Sequence, residues 1–427
     1  MIGKHIIRWT IGSCIIVTMH ASSQSLEMYS SIYQKMMEAQ EQDDYETSLE
    51  EAVKILRLLP THPRIHHHAA RMHAILGNKK EAFDHLLKTI LLGYVMDVDR
   101  DSVFRTIQDQ PDFQMIRNKI EAMKKPVRNS TEAFKLYERD LVPEGMCYDP
   151  VSQVFYFGST YKEKIIKVDM NGHPTDFCTE RQDGLRTVLG MKVDPERRFL
   201  WVNTAVGNPP PRDVNPEEAG WSGLFKYDLN TGNLIKKYTL HRKGETHLFN
   251  DVAFSPQGDV YVTDSNNGAI YTVSHEADSL TLFIKSDALR YPNGIALSPD
   301  GKMIYLANSG SEIFIIDSKT KTITPLHHPD TCTTYGIDGL YLYENSLIAV
   351  QNNLERITRF YLDATGRTAV KMDILEANNP VLDIPTTGAI FEDTFYYIAN
   401  CPLRAFNPDG SLNQDGLKDV IIYRIEL

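Results

Sequence analysis

The sequence predicts an all-β six-bladed β-propeller preceded by a small all-α helical domain, and three observations predict it. Residues 26–125 carry helical periodicity with almost no strand signal. From Thr131 onward, short β-rich runs are separated by Gly, Pro, Asn and Asp. Within that second part, one strand-turn-strand phrase recurs six times. With 427 residues, 42% of them hydrophobic, the chain has apolar mass for cores in both parts. Its 45 Lys and Arg against 56 Asp and Glu give a net charge of −11, a poor match for phosphate backbones, so no nucleic acid partner is expected. Past the extreme N-terminus there is no apolar run long enough for a membrane span, which excludes a multi-span membrane protein.

The first element, residues 1–23, reads as a secretory signal peptide. Lys4 and Arg8 make a positive start, Thr10 to Met19 a short apolar stretch, and Ala21-Ser22-Ser23 a cleavage site. A secreted or periplasmic location is therefore expected, with no integral membrane segment after cleavage. Ile11-Gly12-Ser13-Cys14 weakly resembles a lipoprotein box, but Arg8 stands too close in front of it. Export permits disulfides among Cys147, Cys178, Cys332 and Cys401. Their scattered spacing matches no disulfide-dense scaffold, and buried free thiols are an equal reading.

In residues 26–125, apolar positions recur at helical spacing, as in Ile32, Met36, Met37 and Leu49, Val53, Leu56. A shift of 34 sets Ser48 on Ala82, Leu49 on Phe83 and Asp43 on Gly77, and 34 is the tetratricopeptide period. The expectation is a tetratricopeptide-like domain whose role is contact with a protein partner. His62, His66, His67, His68 and His73 lack the Cys or Glu that would complete a metal site, so a solvated helix face is expected. Asp97 to Ser102 imitates the opening of an EF-hand loop. It lacks Gly at the sixth position and Glu at the twelfth (Gln108), so an acidic helix start is the better reading.

The propeller is expected over residues 131–427. The clearest repeats are EGMCYDPVSQVFYFGS, NDVAFSPQGDVYVTDS and NGIALSPDGKMIYLANS. Aligning all six on their turn residues sets Glu144, Leu189, Asn250, Asn293, Asp338 and Thr387 in one register, at intervals of 45, 61, 43, 45 and 49 residues. These are close to the length of a four-stranded blade. The long second interval holds an insertion, Val206 to Trp221. Glu132 to Glu138 is placed to supply the outer strand of blade six beside Val420 to Leu427, closing the ring.

Equivalent positions in a propeller face one another across the central channel. Glu144, Asn250, Asn293 and Asp338 would then bring two carboxylates and two amide carbonyls to one axis. Such an oxygen-only set suits Ca²⁺, with other divalent cations open, and offers nothing soft for Zn²⁺ or Cu²⁺. The competing reading is that Asn and Asp merely open strands as turn residues. Three positions upstream lie Leu141, Arg186, His247, Arg290, Tyr335 and Ile384. Of these, Arg186, His247, Arg290 and Tyr335 are expected to form a polar, partly cationic collar for an anionic or hydroxylated substrate. Thr387 and the Val206–Trp221 insertion are expected to shape the entrance.

With PEG at Glu144, FND at Asn250, PNG at Asn293 and IDG at Asp338, the stretch Leu141 to Leu427 resembles the senescence marker protein/gluconolactonase (regucalcin-like) family. The resemblance implies a calcium-dependent six-bladed propeller that binds one catalytic divalent cation through these four residues. It implies a hydrolase of the lactonase or esterase type acting on a small-molecule lactone or ester, in which the ion polarises the carbonyl. Asp338 is the expected base or nucleophile, and His247 a second candidate base. Leu248 stands where sugar lactonases of that family often carry an Arg, which puts sugar-lactone recognition in doubt. A non-catalytic ligand- or protein-binding propeller with a structural calcium ion is the alternative, since fold alone does not decide function.

Overall fold

The computed structural model describes residues 31–206, 216–308, 312–329, 332–407 and 409–427, so the expected signal peptide lies outside the described residues. Five helices come first: α1 (31–41), α2 (Tyr45–Leu58), α3 (Pro63–Ile75), α4 (Lys79–Leu91) and α5 (Pro111–Met123). Local chemistry sets their limits. Asp44 Oδ1 accepts the backbone N–H of Thr47 at 3.1 Å to cap α2, and Pro63 and Pro111 occupy first-turn positions of α3 and α5. Ala52, Ala69, Ala70 and Ala82 are fully buried where helices approach, beside Ile55, Leu86, Phe104 and Phe113. None of the described helices is long and apolar enough to cross a membrane.

The acidic start read at Asp97–Ser102 is present: Asp101 Oδ1 accepts Val103 N–H at 3.1 Å and caps a short 3₁₀ turn. The solvated histidine face is not. His66 is buried, its Nδ1 2.9 Å from His85 Nδ1 and its Nε2 2.9 Å from the Pro60 carbonyl. His68 Nε2 lies 2.8 Å from Ser48 Oγ, and the rings of His73 and His85 stack with centroids 5.3 Å apart. These imidazoles face their own neighbouring helices, so pairing and packing replace water.

From residue 127 the chain forms six antiparallel sheets, five of four strands and one of five. Their inner strands are Pro143–Asp149, Thr187–Asp194, Phe249–Phe254, Pro292–Leu297, Ile337–Tyr343 and Gly388–Phe391. Each touches the next in ring order, and the sixth touches the first. Period-2 alternation builds the cores: Phe155 and Phe157 face blade six, while Tyr156 between them faces blade two. Six such inter-blade clusters follow round the ring, and each fully buried Phe or Leu contributes about 1.5–3 kcal/mol.

The ring closes as the sequence predicts. Thr131–Leu136 pairs antiparallel with Val420–Glu426 as the outer strand of blade six. One strand is unforeseen: Val127–Arg128 adds a fifth strand to the outer edge of blade five. Buried Glu376 holds this linker, its Oε2 accepting the N–H groups of Asn129 and Ser130, both at 2.9 Å. The four cysteines Cys147, Cys178, Cys332 and Cys401 are buried free thiols.

Candidate metal centre at the channel mouth

Each of the first five register residues lies at an irregularity of its inner strand. The pairing with the second strand slips between Pro143 and Gly145, Val188 and Met191, Phe249 and Val252, Pro292 and Ile295, and Ile337 and Leu340. A bulge re-aims a side chain that regular pleating would bury in a blade core. The next residue is usually glycine because the neighbouring backbone crosses there. A Cβ on Gly145 would lie 2.0 Å from the Leu189 carbonyl oxygen, and one on Gly294 would lie 2.3 Å from that of Asp338.

Glu144, Asn250, Asn293 and Asp338 are all buried. Asn293 donates Nδ2 to Asp338 Oδ1 at 2.7 Å, and Asn352 donates Nδ2 to Asp338 Oδ2 at 2.9 Å. Asn250 donates Nδ2 to Ser265 Oγ at 3.0 Å, and that hydroxyl donates to the Pro292 carbonyl at 2.6 Å, next to Asn293. Both amides thus commit their nitrogens and keep their carbonyl oxygens for another partner. Glu144 Oε2 is buried with no hydrogen-bond partner among the described residues.

The electrostatics point the same way. Burial raises the Glu144 carboxyl well above the usual range, and the charges of Asp338 and Asp251 add to the shift. Burial likewise raises Asp338, partly opposed by the hydrogen bond from Asn293. Deeper in the channel, Asp251 is pushed up to about 6 by burial, with the Lys192 ammonium opposing. Two buried carboxylates in each other's field, with an orphaned oxygen and two available amide carbonyls, fit a hard divalent cation. Among the described residues no three His, Cys, Asp or Glu side chains form a metal cluster, so any such site depends on the amides.

The expected collar residues are occupied elsewhere. Arg186 pairs with Glu218 and lies 3.6 Å from Glu163. His247 has no exposed surface: its Nδ1 is 2.6 Å from Asp264 Oδ2 and its Nε2 3.3 Å from Glu245 Oε2. Arg290 donates Nη1 to the Leu58 carbonyl of α2 at 2.9 Å, and Tyr335 is buried with its ring 5.2 Å from that of His62. Thr387 is a link in the ring rather than part of an entrance, since its hydroxyl donates to the Glu144 carbonyl at 2.6 Å and accepts the Met146 N–H at 3.1 Å. The Val206–Trp221 insertion joins the second and third strands of blade two, and its residues 207–215 lie outside the described residues. In place of an open cationic collar, the mouth is cross-tied, and the helical region sits against it.

A second register supplies those ties. Polar residues at the mouth ends of the second strands hold the loops before the inner strands. Thr204 Oγ1 accepts Arg186 N–H at 2.8 Å and Asn308 Oδ1 accepts Arg290 N–H at 2.6 Å. Asp264 Oδ1 accepts Leu248 N–H at 2.9 Å, and Gln351 Nε2 donates to the Tyr335 carbonyl at 2.7 Å. The sequence signal was available, because each residue ends an aromatic or β-branched run. Tyr291 was missed as well. It holds a left-handed φ of 55°, and burial, with Asp338 and Glu144 adding, pushes its hydroxyl up to about 12.

Fold and site together define a six-bladed propeller with buried oxygen donors clustered at one end of its inner strands. The chain belongs to the SMP-30/gluconolactonase/LRE-like family, whose model matches residues 142–374. Among solved structures it is similar to a luciferin-regenerating enzyme, with 16% identity, a TM-score of 0.48, and coverage of 71% of this chain and 96% of that one. It is also similar to the calcium-binding protein regucalcin from Agrobacterium tumefaciens, with 16% identity, a TM-score of 0.47, and coverage of 69% and 93%. A PQQ-bound aldose sugar dehydrogenase from Streptomyces coelicolor aligns at 15% identity and a TM-score of 0.47, covering 70% and 97%. A comparison with curated proteins finds no match.

Proposed function

We propose that the protein is a divalent-cation-dependent hydrolase of a lactone or ester, with Ca²⁺ as the preferred ion. The observation that carries this reading is the buried Glu144–Asp338 pair, which among the described residues has no cationic partner at hydrogen-bond distance and leaves Glu144 Oε2 unsatisfied. In the reading, Glu144, Asn250, Asn293 and Asp338 hold the ion. A bound divalent cation supplies Lewis acidity toward an ester carbonyl. Asp338, oriented by Asn293 and Asn352, takes a proton from the attacking water at a carboxylate oxygen. In the same reading the Tyr291 hydroxyl, which feels the charges of Asp338 and Glu144, donates a hydrogen bond to substrate. His247, enclosed between Asp264 and Glu245, stiffens the wall of blade three and leaves the base role to Asp338.

The competing reading, a non-catalytic binding propeller with a structural calcium ion, is favoured by one observation: Arg290 and Tyr335 face the helical region rather than an open mouth. A panel of lactones and aryl esters separates the two, assayed by proton release with and without Ca²⁺ for wild type and Asp338→Asn. Calcium-dependent turnover lost in Asp338→Asn is expected. Calcium binding by wild type with no turnover of any panel member would establish the binding reading instead. Export from the cytoplasm and a protein partner for the helical region belong to the same proposal.

A further inference from the structure

Between the helical region and blade five lies a cavity of about 480 Å³, within the range of small-molecule sites, which favour domain interfaces. Helices α1 and α3 form one wall, and Tyr335 and Asn353 of blade five contribute to the other. We propose that this cavity binds a small aromatic carboxylate, with Arg64 as its anion-holding residue.

Charge is the first argument. In a chain with a net charge of −11, no carboxylate lines this cavity among the described residues, whereas Arg64 and Arg71 both do. Arg71 is partly neutralised by Asp101 at 3.1 Å. Arg64 is exposed and makes no ion pair among the described residues; its guanidinium carbon lies 5.7 Å from the centre of the Tyr94 ring. Arg64 also stands in the first turn of α3, a 13-residue helix whose N-terminal dipole favours an anion. Burial holds His62, His67 and His68 down to about 4, so near neutral pH the positive charge resides on the guanidinium groups.

Shape and polarisability are the second argument. The lining is mostly polar, with the Tyr94 ring, the Met37 thioether and the edges of Met36 and Tyr335 as the apolar faces against which a planar aromatic body can lie. A guanidinium matches a carboxylate in a planar, two-pronged contact. An arginine with no ion pair among the described residues, beside these faces, therefore suits a ring bearing a single carboxylate. The site does not include Glu144, Asn250, Asn293 or Asp338 and does not depend on the hydrolase reading.

The test is isothermal titration of the full chain at low ionic strength with benzoate, 4-hydroxybenzoate and 2-naphthoate, each against its neutral amide. At least one acid is expected to bind about tenfold or more tightly than its amide, Arg64→Gln to abolish that difference, and Arg64→Lys to retain part of it. Because Arg64 is exposed and makes no ion pair among the described residues, both variants are expected to keep the wild-type melting temperature and circular dichroism. The proposal is overturned if no acid binds more tightly than its amide. It is equally overturned if Arg64→Gln binds the acids as wild type does.

Discussion

Asn352 donates Nδ2 to Oδ2 of Asp338 at 2.9 Å, and so orients the carboxylate at the centre of the candidate site. Asn293 from blade four holds the other oxygen at 2.7 Å. The carboxylate is therefore positioned by amides from two blades rather than by a cation from the protein. Groups that orient a metal ligand typically cost 10–100-fold in affinity or activity when removed. Asn352→Ala is expected to weaken calcium binding by about that factor in equilibrium dialysis, with unchanged circular dichroism. Wild-type affinity in the variant would remove Asn352 from the site.

Thr387 joins blade six to blade one through two hydrogen bonds made by a single hydroxyl. Thr387→Val keeps the shape and deletes both bonds, leaving a buried carbonyl and a buried N–H unpaired. A loss of about 1–3 kcal/mol is expected from urea unfolding, with Thr387→Ser near wild type. Equal stability of Thr387→Val and wild type would show that the ring closes without this link.

Gly294→Ala would push a methyl group to 2.3 Å from the Asp338 carbonyl oxygen and 2.6 Å from the Leu340 nitrogen, both of them backbone atoms that have little room to yield. The expected cost is on the order of 4 kcal/mol, among the large values for single substitutions. Thermal melting should show it, together with reduced calcium retention because blade five carries Asp338. A variant that melts and retains calcium like wild type would contradict the close crossing of blades four and five.

The helical region should be sensitive to acid. Burial depresses His62, His67, His68 and His85 to about 4, below the 6.5 of an exposed imidazole. Between these values the unfolded chain binds more protons than the folded one. The histidine contribution is therefore complete above about pH 6.5 and is lost as pH falls towards 4. Helical circular dichroism followed during melting at pH 7, 6, 5 and 4.5 should show a falling midpoint. Replacing His66 and His85 together by Gln should weaken that dependence, since burial depresses His66 as well, while His62, His67 and His68 retain the rest. A midpoint independent of pH over this range would contradict neutral burial of the cluster.

Much of this was legible in the chain. Six similar phrases with a common register announce six blades, because turn chemistry and period-2 alternation are local properties that each blade repeats. Outer-strand closure was legible in the alternating run near Glu132, and the oxygen donors at 144, 250, 293 and 338 stood out because the repeat sets them at equivalent places. The bulges that turn these side chains were not legible, since a bulge shows only against a partner strand. Nor was the seat of the helical region on the mouth, which takes up Arg290 and Tyr335 through contacts with Leu58 and His62, more than 200 residues earlier in the sequence.

By itself, then, the sequence determined the architecture, the ring order and which residue types stand at the channel mouth. The tertiary structure decided which of those residues are already committed. Arg186, His247 and Thr387 look available in a linear reading, yet Arg186 pairs with Glu218, His247 Nδ1 lies against Asp264 and the Thr387 hydroxyl donates to the Glu144 carbonyl. His62, His66, His67, His68 and His73 read as a wet helix face, but His66 is buried and the others are partly covered by neighbouring elements. The physical reason is that periodicity reports which face of an element is apolar, whereas a hydrogen bond or ion pair depends on which other element arrives at that face. That depends on the packing of the whole chain.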